Sequence, residues 1–193
     1  MSKQIVFIDP TVKDQHLLLQ GIDPAIEIVH LGGGEDGVRQ IADHMTRRRE
    51  IDAIHIICHG APGSMNLGST TLDRTNLNRY FVELAHVGRA MHEGGNIMLY
   101  GCEVAAGEPG AAFIEGIAKL TGTAVAASTT PVGHTQLGGA WHLDSQTGHI
   151  NTPIPFAQKA RAEFRQVLPI EPDHLAQSEA VISLVRATLS LTS

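Results

Sequence analysis

Cysteine and aromatic residues are scarce in this sequence of 193 residues, which contains two cysteines and one tryptophan. Two cysteines cannot form the disulfide framework of a small secreted protein, so the fold must depend on a hydrophobic core. No apolar run approaches the roughly 20 residues of a membrane-spanning helix. The segment after Met1 lacks the apolar stretch of a signal peptide. We therefore expect a cytoplasmic protein with no membrane partner, unless it is exported by a signal of another kind.

Basic charge is also scarce, because 14 Lys and Arg face 20 Asp and Glu and the net charge is −6 at pH 7. Proteins that bind nucleic acid usually present a basic face, so we expect no nucleic-acid partner. The one basic cluster, Arg47–Arg49, fits the solvated end of a helix better than a polyanion site. Apolar residues make up 42% of the chain, which is typical of a globular protein with one domain of ordinary size.

Apolar strands alternate with helical segments along most of the chain. Short apolar runs predict strands over residues 4–8, 25–31, 53–58, 97–100 and 124–127. Apolar residues at helical spacing predict helices over 13–20, around 38–45, from 73 or 75 to about 92, and over 108–120. The third of these helices is expected to turn inward the residues Leu77, Tyr80, Phe81, Leu84 and Met91. This alternation predicts an α/β three-layer sandwich, with a mostly parallel central sheet and helices on both faces.

The remaining segments are expected to be loops, edge strands and a tail. The composition of residues 61–72 predicts a loop with a small hairpin that turns near Gly68. Glycines frame residues 140–144, which predicts a late β-hairpin or edge strand pair. Helices are expected over 157–167 and about 173–189. We therefore divide the chain into a domain over residues 1–150 and a helical C-terminal tail over 151–193.

Two of the predicted strands end with a reactive side chain beside a glycine. The strand over 53–58 leads into His59-Gly60, and the strand over 97–100 leads into Gly101-Cys102. The carboxyl ends of parallel strands meet at one edge of the sheet, where α/β proteins place their functional crevice. A thiol and an imidazole brought together there make a nucleophile and its base. Each residue alone would more often be a buried thiol or a satisfied core imidazole, but the pair predicts the Cys–His dyad of a cysteine peptidase.

The same segments carry a resemblance to a known group of enzymes. IHIICHGAPGSMNLGSTTL, MLYGCEVAAGEPGAAFI and LTGTAVAASTTPVGHTQLGGAWHLD resemble the caspase–gingipain group of cysteine peptidases. More narrowly, they resemble a bacterial domain of unknown function related to that group, often found at the amino end of large surface proteins with cadherin-like or calcium-binding repeats. The likeness runs from about Ile5 to Ile150. No repeat region follows in this sequence, which favours a standalone or complex-bound peptidase over an adhesin.

The resemblance implies a caspase-like fold and a role for each residue of the dyad. Cys102 would be the nucleophile and His59 the general base and acid. The backbone N–H groups of Gly60 and of Cys102 would bind the oxyanion. No cofactor is implied.

The resemblance also implies which residues form the pocket beside the nucleophile. Its walls would come from Asp9 after the first strand, from Tyr100 on the nucleophile strand and from the segment beginning at Ser128, with Asp144 as a further member. An acidic Asp9 would favour a basic substrate residue, although a turn residue before Pro10 is an equally good interpretation. Cys58 is expected to fill the core. No metal site is expected, because the spacing of cysteines and histidines does not fit zinc.

Together these features predict a cysteine endopeptidase acting on a protein or peptide substrate, with a preference for cleavage after a basic residue. Activation by a partner or by self-cleavage is expected, with the C-terminal helices as the docking element for a regulatory protein. Two alternatives stay open. One is a catalytically silent binding or assembly module of a surface or multi-protein complex, and the other is an esterase or acyltransferase that uses the same dyad.

Overall fold

Strands and helices alternate along the chain in the order that the apolar pattern predicts. The computed structural model describes residues 2–170. The strands are β1 (Gln4–Ile8), β2 (Glu27–His30), β3 (Ile51–Ile57), β4 (Gly60–Ala61), β5 (Ser64–Leu67), β6 (Thr70–Asp73), β7 (Met91–Tyr100), β8 (Ala124–Ala127) and β9 (Ser145–Gln146). The helices are α1 (Gln15–Leu19), α2 (Gly37–Thr46), α3 (Phe81–Ala90), α4 (Gly107–Thr121) and α5 (Gln158–Glu163).

Within residues 2–170, six strands form the central sheet, in the order β2-β1-β3-β7-β8-β9. The first five are parallel, and only β9 runs antiparallel to its neighbour β8. The apolar strands β1, β3 and β7 are buried on both faces in their central parts, as parallel strands usually are. A second sheet, β4-β5-β6, is antiparallel and carries the predicted hairpin turned at Gly68.

Two apolar clusters cover the two faces of the central sheet. One includes Phe7 and Leu99 from the strands with Ile41 of α2, Leu84 of α3 and Phe113 of α4. The other lies on the opposite face and holds a different set of large side chains, among them Ile8, Leu18, Tyr100, Trp141, Phe156, Phe164 and Leu168. The predicted three-layer α/β sandwich is therefore confirmed. The second cluster also shows that residues after 150 pack against the sheet.

The third predicted helix begins later than expected. The side chain of Asp73 accepts hydrogen bonds from the backbone N–H groups of Thr75 and Asn76 and so stabilises a turn. A 3-10 turn over Leu77–Tyr80 follows, and α3 begins only at Phe81. The side chain of Phe81 is 59% exposed, so its predicted inward position was wrong.

The end of the described chain differs from the expectation in two places. The late edge strand is Ser145–Gln146, just beyond the predicted 140–144, and it pairs with β8. The helix predicted over 157–167 ends at Glu163 as α5, and the chain after it is extended. The helix predicted over 173–189 lies outside the described residues. Within residues 2–170, none of the helices is both long and apolar enough to span a bilayer.

Candidate functional site

The candidate site lies at the carboxyl edge of the central sheet. The chain passes from β1 to β2 on one side of the sheet and then returns to place β3 on the other side of β1. Such a reversal opens a crevice at the carboxyl ends of the two neighbouring strands. His59 follows β3, and Cys102 follows the adjacent strand β7. The fold therefore brings both predicted side chains to one edge.

Two glycines let the ends of β3 and β7 approach each other closely. A Cβ atom at Gly60 would lie 2.6 Å from Cγ2 of Val104 and 2.9 Å from the carbonyl oxygen of Cys102. A Cβ atom at Gly101 would lie 3.2 Å from the Cα atom of Gly60. Residues with a side chain could not pack in this way, because real Cβ atoms rarely approach other atoms so closely. The glycine at position 60 is thus required by the protein's own packing.

The backbone N–H groups of Gly60 and Cys102 point at one oxygen. Both donate hydrogen bonds to the carbonyl oxygen of Leu168, over 2.8 Å from Gly60 and 3.0 Å from Cys102. These are the two N–H groups that the family resemblance implies as oxyanion donors. Two preorganised donors converging on a carbonyl oxygen are the geometry that stabilises charge in acyl transfer.

The oxygen between these donors belongs to an extended segment that we call the strap, residues 166–170. On one side the strap pairs with the chain after β8, because the carbonyl of Gln166 accepts from the N–H of His134 over 2.8 Å and the N–H of Leu168 donates to the carbonyl of Val132 over 3.0 Å. On the other side, the N–H of Ile170 donates to the carbonyl of Gly60 over 2.9 Å. The strap therefore lies between two backbone segments as an added strand.

The thiol of Cys102 lies beneath the strap. Its sulfur accepts hydrogen bonds from the N–H groups of Val132 and Leu168, each over 3.1 Å. Cys102 is 1% exposed. Burial raises the pKa of the thiol above its usual value, and the two N–H donors offset this only in part. With the strap in place, Cys102 is therefore a protonated and shielded thiol rather than a reactive thiolate.

The imidazole of His59 lies beside the same strap. Its Nδ1 is 2.7 Å from the carbonyl oxygen of Pro169, and its Nε2 is 3.3 Å from the carbonyl oxygen of Thr11. Both partners are carbonyl oxygens, which can only accept, so we assign Nδ1, at the shorter distance, as a donor. Among the described residues, His59 and Cys102 thus both bind the strap and are not hydrogen-bonded to each other.

Asp9 follows β1 at the same edge, but its carboxylate binds groups of the protein itself rather than facing a substrate. Its side chain is fully buried and accepts hydrogen bonds from the N–H and hydroxyl of Thr11 and, over 2.6 Å, from the N–H of Gly68. Both carboxylate oxygens are therefore used within the fold, where they hold the hairpin turn against the end of β1. This matches the interpretation of Asp9 as a turn residue, and the carboxylate is not presented to a substrate cation.

The other three predicted pocket residues also take structural positions. Tyr100 is fully buried, and its ring packs against Trp141 and Phe156. The Ser128 hydroxyl donates to the carbonyl of Thr130 over 2.9 Å and so holds the turn after β8. Asp144 is exposed and accepts from the N–H of Thr129 over 2.7 Å. Partial burial opposes ionisation of Asp144, but the hydrogen bonds from Thr129 outweigh it and lower the pKa of the carboxyl.

Cys58 is a second free thiol, and it belongs to the cluster on the opposite face of the sheet from Cys102. It is fully buried, and burial raises the pKa of its thiol well above the usual value, with the charge of Asp9 adding to the effect. Its predicted role as core filler is confirmed. Residues 2–170 contain no group of three His, Cys, Asp or Glu side chains that could hold a metal ion.

Sequence reasoning missed the strap and the residues that receive it. Leu168 and Pro169 lie just beyond the helix predicted over 157–167, and the pairing segment lies at Val132–His134 rather than at 128–130. One signal in the sequence could have found the strap, since a residue before proline disfavours helical backbone and Leu168 precedes Pro169. Gly133, in the segment that receives the strap, has a φ of +137°, which explains why glycine stands there.

A buried histidine near the site makes the fold sensitive to acid. His55 on β3 is fully buried and stacks on Tyr100, and burial lowers the pKa of its imidazole to about 3. The unfolded chain therefore binds one more proton than the folded chain between about pH 3 and 6.5, so stability falls as pH drops below 6.5. From pH 6.5 to 5, this single residue costs about 2 kcal/mol of the free energy of unfolding.

We expect His55→Leu to remove that part of the acid sensitivity. Denaturant unfolding at pH 6.5 and at pH 5 measures it, with His16→Leu as a control for replacing an exposed histidine. The lowered carboxyl pKa values of Glu27 and Asp144 contribute little in this range, because both groups are ionised in the folded and unfolded states. An unchanged pH slope in His55→Leu would contradict the assignment.

The fold and this arrangement define an α/β protein whose candidate site joins a thiol, an imidazole and two convergent backbone donors at the carboxyl edge of a parallel sheet. The chain belongs to the family described as Domain of unknown function (DUF4347), whose profile matches residues 5–168. That match spans β1 to the strap, so it includes His59, Cys102 and Leu168.

Comparisons with other proteins add little to the family assignment. No curated protein matches the sequence. A small-chain dehydrogenase of known structure is 13% identical, with 62% of this chain and 77% of that chain covered and a TM-score of 0.34. A short chain dehydrogenase family protein from Francisella tularensis subsp. tularensis SCHU S4 is 9% identical, with 62% and 60% covered and a TM-score of 0.29. At such TM-scores the likeness carries no argument about activity.

Proposed function

We infer that this protein is a cysteine peptidase of the caspase–gingipain kind, with Cys102 as the nucleophile and His59 as the general base and acid. The observation that carries the proposal is the pair of N–H groups, on Gly60 and Cys102, that hold the carbonyl oxygen of Leu168 at 2.8 and 3.0 Å. A peptide carbonyl held in this way lies beside the one thiol on its face of the sheet and next to an imidazole. Those are the parts that acyl transfer to sulfur requires.

In the reaction, His59 takes the proton of the Cys102 thiol, and the sulfur forms a bond to the carbonyl carbon of the substrate. The carbonyl oxygen gains negative charge, which the two N–H groups stabilise. The carbon–nitrogen bond then breaks, and His59 gives a proton to the departing amine. Water next attacks the thioester with His59 as base, releasing the carboxylic acid and returning the proton to sulfur. Proton transfer of this kind contributes roughly 10²–10⁴-fold to the rate.

A binding or assembly module is the second candidate function, and the state of Cys102 favours it. The thiol is 1% exposed and hydrogen-bonded to backbone groups, and its pKa is raised by burial. A strap that never leaves would keep Cys102 inert. The two functions therefore differ in whether the strap can leave. Its departure would open the cleft between the backbones of Gly60 and Val132–His134 and expose the thiol of Cys102.

The experiment is labelling of the full chain with peptidyl acyloxymethyl ketones, followed by mass spectrometry. It is run on the wild type and on Leu168→Asp, because a charged side chain cannot stay in the apolar cluster and the strap then leaves the thiol. We expect one adduct, on Cys102, that Cys102→Ala abolishes and His59→Ala slows at least about 100-fold. Cys58 serves as an internal control for unfolding, since it is buried on the other face.

Two results would overturn the proposal. One is a Cys102 that stays unlabelled in Leu168→Asp while Cys58 also stays protected. The other is labelling of Cys102 at a rate that does not depend on His59. Either would favour the binding module.

A further inference from the structure

We propose that the strap occupies the peptide-binding cleft as a built-in substrate mimic, and that the cleft takes peptides with a leucine-like residue at the carbonyl held by Gly60 and Cys102. This inference rests on the proposed function and specifies its substrate class and its regulation. It replaces the sequence-based expectation of a basic residue at that position.

The backbone contacts of the strap are those of a bound peptide. Leu168 is held at both of its backbone polar groups. Its oxygen accepts from the N–H groups of Gly60 and Cys102, and its N–H donates to the carbonyl of Val132 and to the sulfur of Cys102. Two residues earlier, Gln166 accepts from His134. Contacts at alternate residues are the pattern of strand addition, in which main-chain hydrogen bonds give affinity and alternate side chains enter pockets.

Glycine at position 133 is required for this close approach. A Cβ atom at Gly133 would lie 2.2 Å from the carbonyl oxygen of Gln166 and 2.8 Å from the Cα atom of Val167. The start of the strap is also fixed by side chains. Phe164, two residues before it, is fully buried, and the amide of Gln166 donates to the carboxylate of Asp14 over 2.9 Å. The cleft and the strap therefore fit each other along several residues.

The side chain of Leu168 identifies the chemistry of the pocket. It is 1% exposed and belongs to an apolar cluster that includes the ends of β1, β3 and β7 through Ile8, Ile57 and Tyr100. Asp9, the carboxylate that follows β1 at this edge, already accepts hydrogen bonds from Thr11 and Gly68. An arginine or lysine would bury its charge there without a partner, which is strongly unfavourable. An aliphatic side chain gains by burial instead.

Pro169 explains why the strap can occupy the cleft without being cut. The bond that follows the held carbonyl is Leu168–Pro169, in which the nitrogen is tertiary and carries the ring carbon Cδ where other residues have hydrogen. That ring also restricts the backbone of the preceding residue. The ring therefore crowds the leaving nitrogen on the side where other residues have only hydrogen, and this hinders its approach to His59. The imidazole instead bonds to the carbonyl of Pro169 at 2.7 Å.

The test is Pro169→Ala in the full chain. Attack of the Cys102 sulfur on the carbonyl carbon of Leu168 would break the bond to the alanine nitrogen, which takes its proton from His59, and water would release the acid at Leu168. We expect intact mass spectrometry to show fragments 1–168 and 169–193, while the wild type stays whole under the same conditions. The matched control is Pro169→Ala combined with Cys102→Ala, which should stay whole.

A second arm measures the pocket directly in the full-chain Leu168→Asp variant. Arg165→Asp is the control, because Arg165 is exposed and lies just before the strap, so the strap should stay in place. Fluorogenic peptides that differ only in the residue before the cleaved bond should be cut at least tenfold faster with leucine than with arginine. The arginine peptide being cut equally or faster would overturn the inference. So would an intact Pro169→Ala chain whose Cys102 is labelled in a manner dependent on His59, and that result would leave the proposed function standing.

Discussion

Gly133→Ala is expected to expose the thiol of Cys102 and to raise its rate of alkylation by iodoacetamide about 10- to 100-fold. An alanine at this φ of +137° is strained, and its Cβ atom would overlap the carbonyl oxygen of Gln166 at 2.2 Å. Strain at such a residue is worth about 1–3 kcal/mol, and each 1.4 kcal/mol shifts the balance between the closed and open strap about tenfold. Iodoacetamide is small and needs no pairing with the cleft, so the substitution does not hinder the reagent.

The sequence offers a close control for the backbone strain alone. Gly138 also has a positive φ, +79°, but nothing lies within 4 Å of a Cβ atom there. Gly138→Ala should therefore leave the alkylation of Cys102 near the wild-type rate. Cys58 must stay unmodified in both variants, because its alkylation would indicate unfolding. Equal rates for Cys102 in Gly133→Ala and wild type would show that the strap does not shield the thiol.

The elements that sequence reasoning predicted well are those fixed by local pattern. The apolar runs of β1 and β8 have the bounds that the sequence predicts, because buried parallel strands read as short apolar stretches. The edge of the sheet that bears His59 and Cys102 followed from the same pattern, since each of these residues lies two positions after the last residue of a strand. Both glycines beside them could be noticed in the sequence, although the reason for Gly60 is a contact with Val104 and the Gly101-Cys102 backbone.

The strap could not be predicted in the same way because its contacts are distant in sequence. Leu168 meets Gly60, Cys102 and Val132, and only the folded sheet brings these residues together. Its own segment contains helix-forming residues up to Val167, and the restriction that Pro169 places on Leu168 is the single local signal against a helix. The pocket residues failed for a related reason. Their positions at strand ends were right, but which polar group each would meet depended on the tertiary structure.

Gly60→Ala should reduce peptide cleavage by about 10²–10³-fold, because it displaces one of the two N–H groups that hold the substrate carbonyl. The new Cβ atom would lie 2.6 Å from Cγ2 of Val104 and 2.9 Å from the carbonyl carbon of Gly101. The backbone after β3 must shift to relieve these contacts, at a further cost of about 1–3 kcal/mol in the free energy of unfolding. Steady-state cleavage of a leucyl peptide and denaturant unfolding, both in the Leu168→Asp background, measure the two effects.

Two further variants separate the role of the N–H group from general damage to the fold. Gly34→Ala is the neutral control, since nothing lies within 4 Å of a Cβ atom at Gly34, and it should match its parent in both measurements. Adding Val104→Ala to Gly60→Ala removes the closest contact but leaves the overlap with the backbone of Gly101 and Cys102. The double variant should therefore regain part of its stability while cleavage stays low. Recovery of cleavage in step with stability would mean that Gly60 serves only packing, and the N–H of Cys102 would then be the one donor that the reaction needs.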